Sequence, residues 1–248
     1  MKILVNPDIH GRKFWKKTAE SIDKCDKIIF LGDYLDPYGF ENISVEDAIA
    51  NFEEIIDFAD KNREKVVLLL GNHDMPYYSK EYYELERYHC RHSNFFHNDI
   101  SKLFEDNKEL FKIAHIEDDI LFTHAGIMPD WRTSILGEDL TLEEICQKAN
   151  DLLNDKGGIS SLFSISHRRG GWDSCGSCIW ADVDEIASTP AEELGNFKQI
   201  FGHTLQAFYG PDGTIVYGDA IENGDWKMLD TANPYELDTE NFEVKKID

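Results

Sequence analysis

The chain is short of positive charge, of long apolar runs and of pairable cysteines. Its 248 residues carry 25 Lys and Arg against 48 Asp and Glu, a net charge of −23, and the acidity is spread along the chain with no tail holding it. A field of that sign repels polyphosphate backbones, so nucleic acid is not expected as a partner. Small anionic substrates stay open wherever cations are held locally. No apolar stretch approaches bilayer-spanning length, and Met1–Val5 passes at once into polar residues with no signal-peptide apolar region. The expectation is a soluble, cytoplasmic protein without membrane attachment. Cys25, Cys90, Cys146, Cys175 and Cys178 are odd in number and scattered, unlike a secreted disulfide framework. Cys175 and Cys178 have CxxC spacing, but no second pair is there to complete a structural zinc site, and incidental thiols are expected.

What the chain does have is a set of apolar strands that end in chemistry. Lys65–Leu70 is an uninterrupted apolar run that empties into Gly71–Asn72–His73–Asp74. Such a run bounded by glycine reads as a strand buried on both faces, and residues just past it lie where open α/β sheets put their sites. Lys2–Val5 reads as a first strand delivering Asp8, His10 and Gly11. A carboxylate and an imidazole two residues apart on an extended segment point to one side, as a metal grip requires. A helix is expected over Arg12 to about Lys24, then a strand Lys27–Leu31 running into Gly32–Asp33–Tyr34–Leu35–Asp36. Ser44–Asp47 opens a capped helix with Val45, Ala48, Ile49, Phe52, Ile55, Ile56 and Ala59 on one stripe. Two strand–helix–strand units in succession argue for parallel crossovers.

Residues 75–111 turn aromatic and charged, with helices expected near 80–91 and 99–111, and form a candidate cap over the site. His89, His92 and His97 lie there with Cys90, but no carboxylate shares their spacing, and half-buried histidines are expected. Asp119–Phe122 is a further strand, ending in His124, and Thr141–Glu144 caps another helix. Gln199–Phe201 is followed by Gly202, His203 and Thr204; a hairpin turns at Gly210–Gly213, Lys227–Leu229 adds a strand, and the tail from Thr231 reads as peripheral. No arginine follows Arg169, so Arg168 and Arg169 are either the cationic clamp for an anionic substrate or a solvated loop pair. No linker divides the chain, and a single domain over 1–248 is expected.

Five strand ends thus carry potential metal ligands: Asp8 and His10, Asp33, Asn72, His124, and His203. Carboxylate, imidazole and amide oxygen suit Mn²⁺, Fe or Zn²⁺ and fit poorly with a soft thiolate site. In order and spacing these blocks resemble the calcineurin-like metallophosphoesterases, whose signature runs D-x-H, G-D-x-x-D, G-N-H-[DE], a histidine after a strand, and G-H-x-H. The resemblance implies an α/β fold, a four-layer αββα sandwich of two mixed β-sheets flanked by helices. It implies two divalent or trivalent transition-metal ions, the first held by Asp8 and His10, both bridged by Asp33, the second held by Asn72, His124 and His203. It implies His73 as the acid protonating the leaving oxygen, with Asp36 as its partner. Hydrolysis of a phosphomonoester by in-line attack of a metal-bridging hydroxide follows from the family.

The last block departs from the signature. Leu205 stands where G-H-x-H has its final histidine, as in the phosphoprotein-phosphatase branch, which Gly32–Asp36 and Trp180–Asp182 also resemble. Against that branch, Pro37 replaces the arginine after G-D-Y-V-D, and no late arginine exists. Phosphate clamping therefore differs, and the implied substrate is a small phosphorylated molecule. Hydrolysis of a nucleoside polyphosphate or a diester on the same site, and a non-catalytic metal-binding module, are the competing readings.

Overall fold

The computed structural model describes residues 1–86, 94–155, 157–209 and 214–247. His89, Cys90 and His92, and the turn Gly210–Gly213, lie outside the described residues. The described strands are β1 (Lys2–Asn6), β2 (Lys27–Phe30), β3 (Val66–Leu69), β4 (Phe111–Lys112), β5 (Ala114–Glu117), β6 (Ile120–Thr123) and β7 (Lys198–Phe201). They continue with β8 (Ala207–Tyr209), β9 (Ile215–Tyr217), β10 (Ile221–Asn223), β11 (Trp226–Met228), β12 (Tyr235–Asp238) and β13 (Glu243–Lys246). One sheet has the order β13-β12-β1-β2-β3-β4 and a second the order β10-β11-β7-β6-β5, while β8 and β9 form a separate hairpin. Both large sheets are mixed. β1 to β4 are parallel and β12 is antiparallel to β1; β7 is parallel to β6 and β11, with β5 and β10 antiparallel at the edges.

The period-two geometry of a strand explains why the apolar runs are uninterrupted. Ile3, Val5, Ile29, Leu31, Val67 and Leu69 point into a cluster shared with Ile120, Phe122 and Ile200 of the second sheet. The alternate residues Leu4, Ile28, Phe30, Val66, Leu68 and Leu70 point the other way, into the layer covered by helices. Chief among these is the helix Val45–Lys61, started by Ser44, whose hydroxyl accepts the Asp47 N–H. Its Phe52 stacks on Tyr34 with ring centroids 5.0 Å apart and meets Phe104 at 4.8 Å. The helix Leu142–Asp151 begins with a complete capping box between Thr141 and Glu144.

Three expectations need correction. The helix expected over Arg12–Lys24 shrinks to Lys16–Ala19 and a 3₁₀ turn Ile22–Lys24. Thr18 is buried there and its hydroxyl bonds back to the Trp15 carbonyl and across to Asn6, so side-chain bonding competes with helix continuation. In the segment 75–111 the described helices are Met75–Tyr78, Lys80–Glu86 and Asn94–Asp106, and Phe111 already belongs to β4, beside β3. The tail from Thr231 is not peripheral. β12 pairs with β1 over four residues, and Tyr235, Leu237 and Phe242 enter the cluster between the sheets. The acidic residues of the tail masked an alternating strand whose apolar positions face inward.

That placement is testable. Leu237→Ala removes a fully buried side chain and should lower unfolding stability by about 2–5 kcal/mol. Urea unfolding followed by circular dichroism checks it; a loss below about 0.5 kcal/mol would return the tail to the surface.

Candidate active site

Because β1, β2 and β3 are parallel, their C-terminal ends release Asp8, Asp33 and Asn72 at one edge of the first sheet, and β6 and β7 release His124 and His203 from the second. Backbone bonds fasten these turns together. Ile9 and His10 donate to the Asp33 carbonyl at 3.0 and 2.6 Å, Gly11 donates to the Tyr34 carbonyl at 2.9 Å, and Gly202 donates to the His124 carbonyl at 2.8 Å. Side chains finish the fastening: Asp33 Oδ1 accepts the His73 N–H and Asp8 Oδ1 accepts the His203 N–H, both at 2.9 Å.

The turns are too tight for ordinary backbone. His10, Asp33, Asp36 and His203 have φ of 44°, 52°, 57° and 68°, the left-handed region that costs a non-glycine residue about 1 kcal/mol or more. This corrects the extended segment expected at Asp8–His10; a sharp turn, not strand alternation, aims the two side chains. The glycines mark close approach. A Cβ on Gly71 would lie 2.2 Å from Asp33 Oδ1, and one on Gly202 would lie 2.6 Å from Asp8 Oδ1.

Two groups of donor atoms result, Asp8 with His10 and Asp33, and Asp33 with His124 and His203. All of these side chains are buried. Asp33 Oδ2 belongs to both groups, 3.5 Å from His10 Nε2 and 3.4 Å from His124 Nε2. Asn72 Oδ1 and His203 Nδ1 each lie 3.0 Å from His124 Nε2. His10 and His124 donate through Nδ1 to the Leu35 and Leu31 carbonyls, both at 2.8 Å, which turns each Nε2 towards the group.

Lone pairs that face one another across about 3 Å need a positive charge between them, a proton on His124 Nε2 in the metal-free chain or a metal ion in its place. Asp8 Oδ2 is buried with no hydrogen-bond partner. Ligand bonds of about 2.0–2.2 Å place neighbouring ligand atoms roughly 3 Å apart, so the set fits a transition metal of the N/O type.

The charges agree. Burial works against ionised Asp33, but His124, His73 and His10 outweigh it and hold the carboxyl well below its ordinary range. Burial raises Asp8, to about 6. For His124, burial opposes the charge, yet the Asp33 and Asp8 carboxylates hold the ring up to about 9. Burial, then Arg169 and His124, push His203 well below its usual value, so it stays neutral.

Beside this set, His73 Nδ1 lies 2.9 Å from Asp36 Oδ2, and Asp36 Oδ1 accepts the Tyr77 hydroxyl at 2.9 Å. Tyr77 went unnoticed in the sequence, where it was one of many tyrosines. Asp74 accepts three backbone N–H groups: Asp33 at 2.6 Å and Gly71 at 2.8 Å on Oδ2, Tyr34 at 2.9 Å on Oδ1. It joins the turn that holds Asp33 to the turn that holds Asn72. The two arginines separate. Arg169 donates to the Thr204 hydroxyl at 2.5 Å and pairs with Asp182 at 2.7 Å, next to His203. Arg168 is half-exposed and pairs with Asp184 at 3.4 Å.

Two outcomes follow. Asp74→Asn replaces an acceptor oxygen with an NH₂ facing backbone donors, leaving at least one buried N–H unpaired at a cost of about 1–3 kcal/mol; thermal melts of the metal-free chain read it. With His124 held up to about 9, its Nε2 is mostly protonated at neutral pH and must lose that proton to become a ligand. Mn²⁺ binding at pH 7 should therefore release about one proton, and apparent affinity should climb as pH rises towards 9. Calorimetry in buffers of different ionisation enthalpy counts the proton, and a heat independent of buffer would refute the exchange.

A model of the calcineurin-like phosphoesterase family matches residues 1–207. No curated protein matches the chain. Among solved structures, a cold-active protein-tyrosine phosphatase of a psychrophilic Shewanella species is similar at 15% identity and a TM-score of 0.54, covering 100% of this chain and 80% of that one. A protein serine/threonine phosphatase from Saccharomyces cerevisiae is similar at 14% identity and a TM-score of 0.51, with the same coverage. Likeness at this identity is likeness of fold, and the fold carries the donor groups described above. With the ordered motifs at the strand ends and most of its length matched, the chain belongs to the calcineurin-like phosphoesterase family.

Proposed function

We propose that the chain is a dinuclear metal-dependent phosphomonoesterase, with Asp8, His10 and Asp33 holding one ion and Asp33, Asn72, His124 and His203 the other. The observation that carries the reading is Asp33 Oδ2 standing within 3.5 Å of imidazole nitrogens from both groups. When bound, a pair of Mn, Fe or Zn ions supplies Lewis acidity and water of lowered pKa.

The chain's own residues do the rest. His73 spends Nδ1 on Asp36, which leaves Nε2 to carry the proton given to the leaving oxygen. Asp36 is fully buried and accepts from both His73 and Tyr77, so it fixes the ring. Arg169, held rigidly by Asp182 and Thr204, is the residue that orients the phosphoryl group. Arg168 has no part in this reading.

Within a single 1–248 domain, the described part of the segment 75–111 acts as a cap, since it supplies Tyr77 to Asp36 and Tyr82 to the Trp180 indole N–H. A small phosphorylated substrate suits the −23 charge better than nucleic acid. No described helix is long and apolar enough to cross a membrane, and the four described cysteines are free; we place the activity in the cytoplasm.

With Mn²⁺, the purified chain should hydrolyse an aryl phosphate monoester at least tenfold faster than the matching diester, and Asp33→Ala should lose about a thousandfold or more in kcat/KM. Equal rates for wild type and Asp33→Ala would sink the proposal. His73→Ala should lose about 10²–10⁴-fold on an alkyl phosphate and much less on 4-nitrophenyl phosphate, whose leaving group needs little protonation. Losses equal on both substrates would remove His73 from the acid role.

A further inference from the structure

The chain spends one more buried charge beside the site, and neither the motifs nor the proposed reaction uses it. Arg12 lies two residues past His10 and is 9% exposed. Its Nη1 donates to the Asp8 carbonyl at 3.1 Å and to the Thr231 carbonyl at 2.7 Å, and its Nε donates to Glu41 Oε1 at 2.6 Å. The same Glu41 oxygen accepts the Tyr217 hydroxyl at 2.5 Å. The guanidinium also lies 5.5 Å from the ring centroids of both Tyr38 and Tyr217, and Tyr38 sets its ring 4.8 Å from that of His10. Asn51 holds the Arg12 carbonyl at 3.0 Å. One planar cation thus joins the Asp8–His10 turn to the loop that carries Tyr38 and Glu41 and to residues 217 and 231.

We propose that Arg12 is a positioning residue for the Asp8–His10 half of the centre, and that its brace to Glu41, Tyr217 and Thr231 sets the metal affinity of that half. The role rests on the metal-holding reading given above. Two features of this chain make that half dependent on a brace. Leu205 leaves it with three protein ligands, Asp8, His10 and Asp33, so the placement of each matters more. His10 also sits at φ 44°, a conformation that persists only where its surroundings over-determine it. Arginine is the residue type for the task, because its rigid fork meets a carboxylate and two carbonyls in one plane, whereas a lysine offers one point charge. Tyr217 and Thr231 lie past residue 207, where the family match ends, so two of the brace's anchor points lie outside it.

The test is Mn²⁺ titration calorimetry on the metal-stripped full-length chain, with folding followed by circular dichroism. Wild type should bind two ions. Arg12→Ala should weaken one of the two by tenfold or more and leave the other within about twofold, with Arg12→Lys between wild type and Ala. Where Arg12→Ala fails to fold because Glu41 is left unpaired, the double variant Arg12→Leu with Glu41→Leu removes the buried charges together, and Tyr217→Phe loosens the brace without touching a charge; both should weaken the same single ion. Phe104→Leu serves as a control for general loosening and should leave both affinities unchanged. Two wild-type affinities in the folded Arg12 and Tyr217 variants would overturn the role, as would an equal loss at both ions or the same loss in Phe104→Leu. A wild-type chain that binds no Mn²⁺ would overturn the metal centre itself, and the brace with it.

Discussion

Asp33 is a carboxylate at the meeting point of two sheets, and the rest of the arrangement answers to it. One oxygen is tied to the His73 N–H, while the other faces His10 from the first sheet and His124 from the second. Taking such a charge out of water costs several kcal/mol unless partners surround it. Three imidazoles hold it ionised. The two sheets therefore do more than share an apolar layer. Their strand ends must stop in register, so that histidines from β1 and β6 reach one oxygen from the β2 turn. Packing of Ile29 and Leu31 against Ile120 and Phe122 supplies that register.

Holding loops this close demands small residues and backbone bonding. Gly71 and Gly202 lie against the carboxylates of Asp33 and Asp8, each from another strand, and any side chain there would displace a donor. Asp74 completes the join by collecting N–H groups from both the Asp33 and Gly71 turns. A carboxylate that accepts three backbone N–H groups is a structural clamp, and it fixes the turn that carries Asn72 and His73. The final residue of the G-N-H-[DE] block thus acts on the geometry of its neighbours.

The uninterrupted apolar runs and the polar turn after each strand were legible from the sequence, because burial on both faces requires one and the site requires the other. So were the capped helices at Ser44 and Thr141. The short strands Phe111–Lys112 and Ala114–Glu117 were not, since each is too brief to show a period. β12 escaped notice because its outward positions, Glu236 and Asp238, hid an inward pair, Tyr235 and Leu237, that only pairing with β1 reveals. At the site, the residues that the strand ends bring together were legible, but the means of aiming them was not. The carbonyls of Leu31 and Leu35 that fix two imidazoles carry no sequence mark, and Tyr77 and Arg12 become visible only when loops far apart in the chain meet.

A net charge of −23 looks unsuited to an anionic substrate, yet the relevant field is local. Exposed charges are screened within about 8 Å at physiological ionic strength, whereas buried charges are screened far less. Among the described residues the arginines around the donor groups are Arg12 and Arg169, and the buried acids Asp8 and Asp33 are turned towards the donor centres and not towards solvent. Arg12 is spent on the framework, bonded to two carbonyls and Glu41. Arg169 is tethered at Asp182 and Thr204 but keeps 22% of its side chain accessible. A tethered guanidinium cannot travel out to meet a distant phosphate; the phosphate must come to the strand ends to reach it. In the proposed reaction, selection for a phosphoryl group small enough to seat between Arg169 and the donor atoms would follow from where the chain has fastened its last arginine.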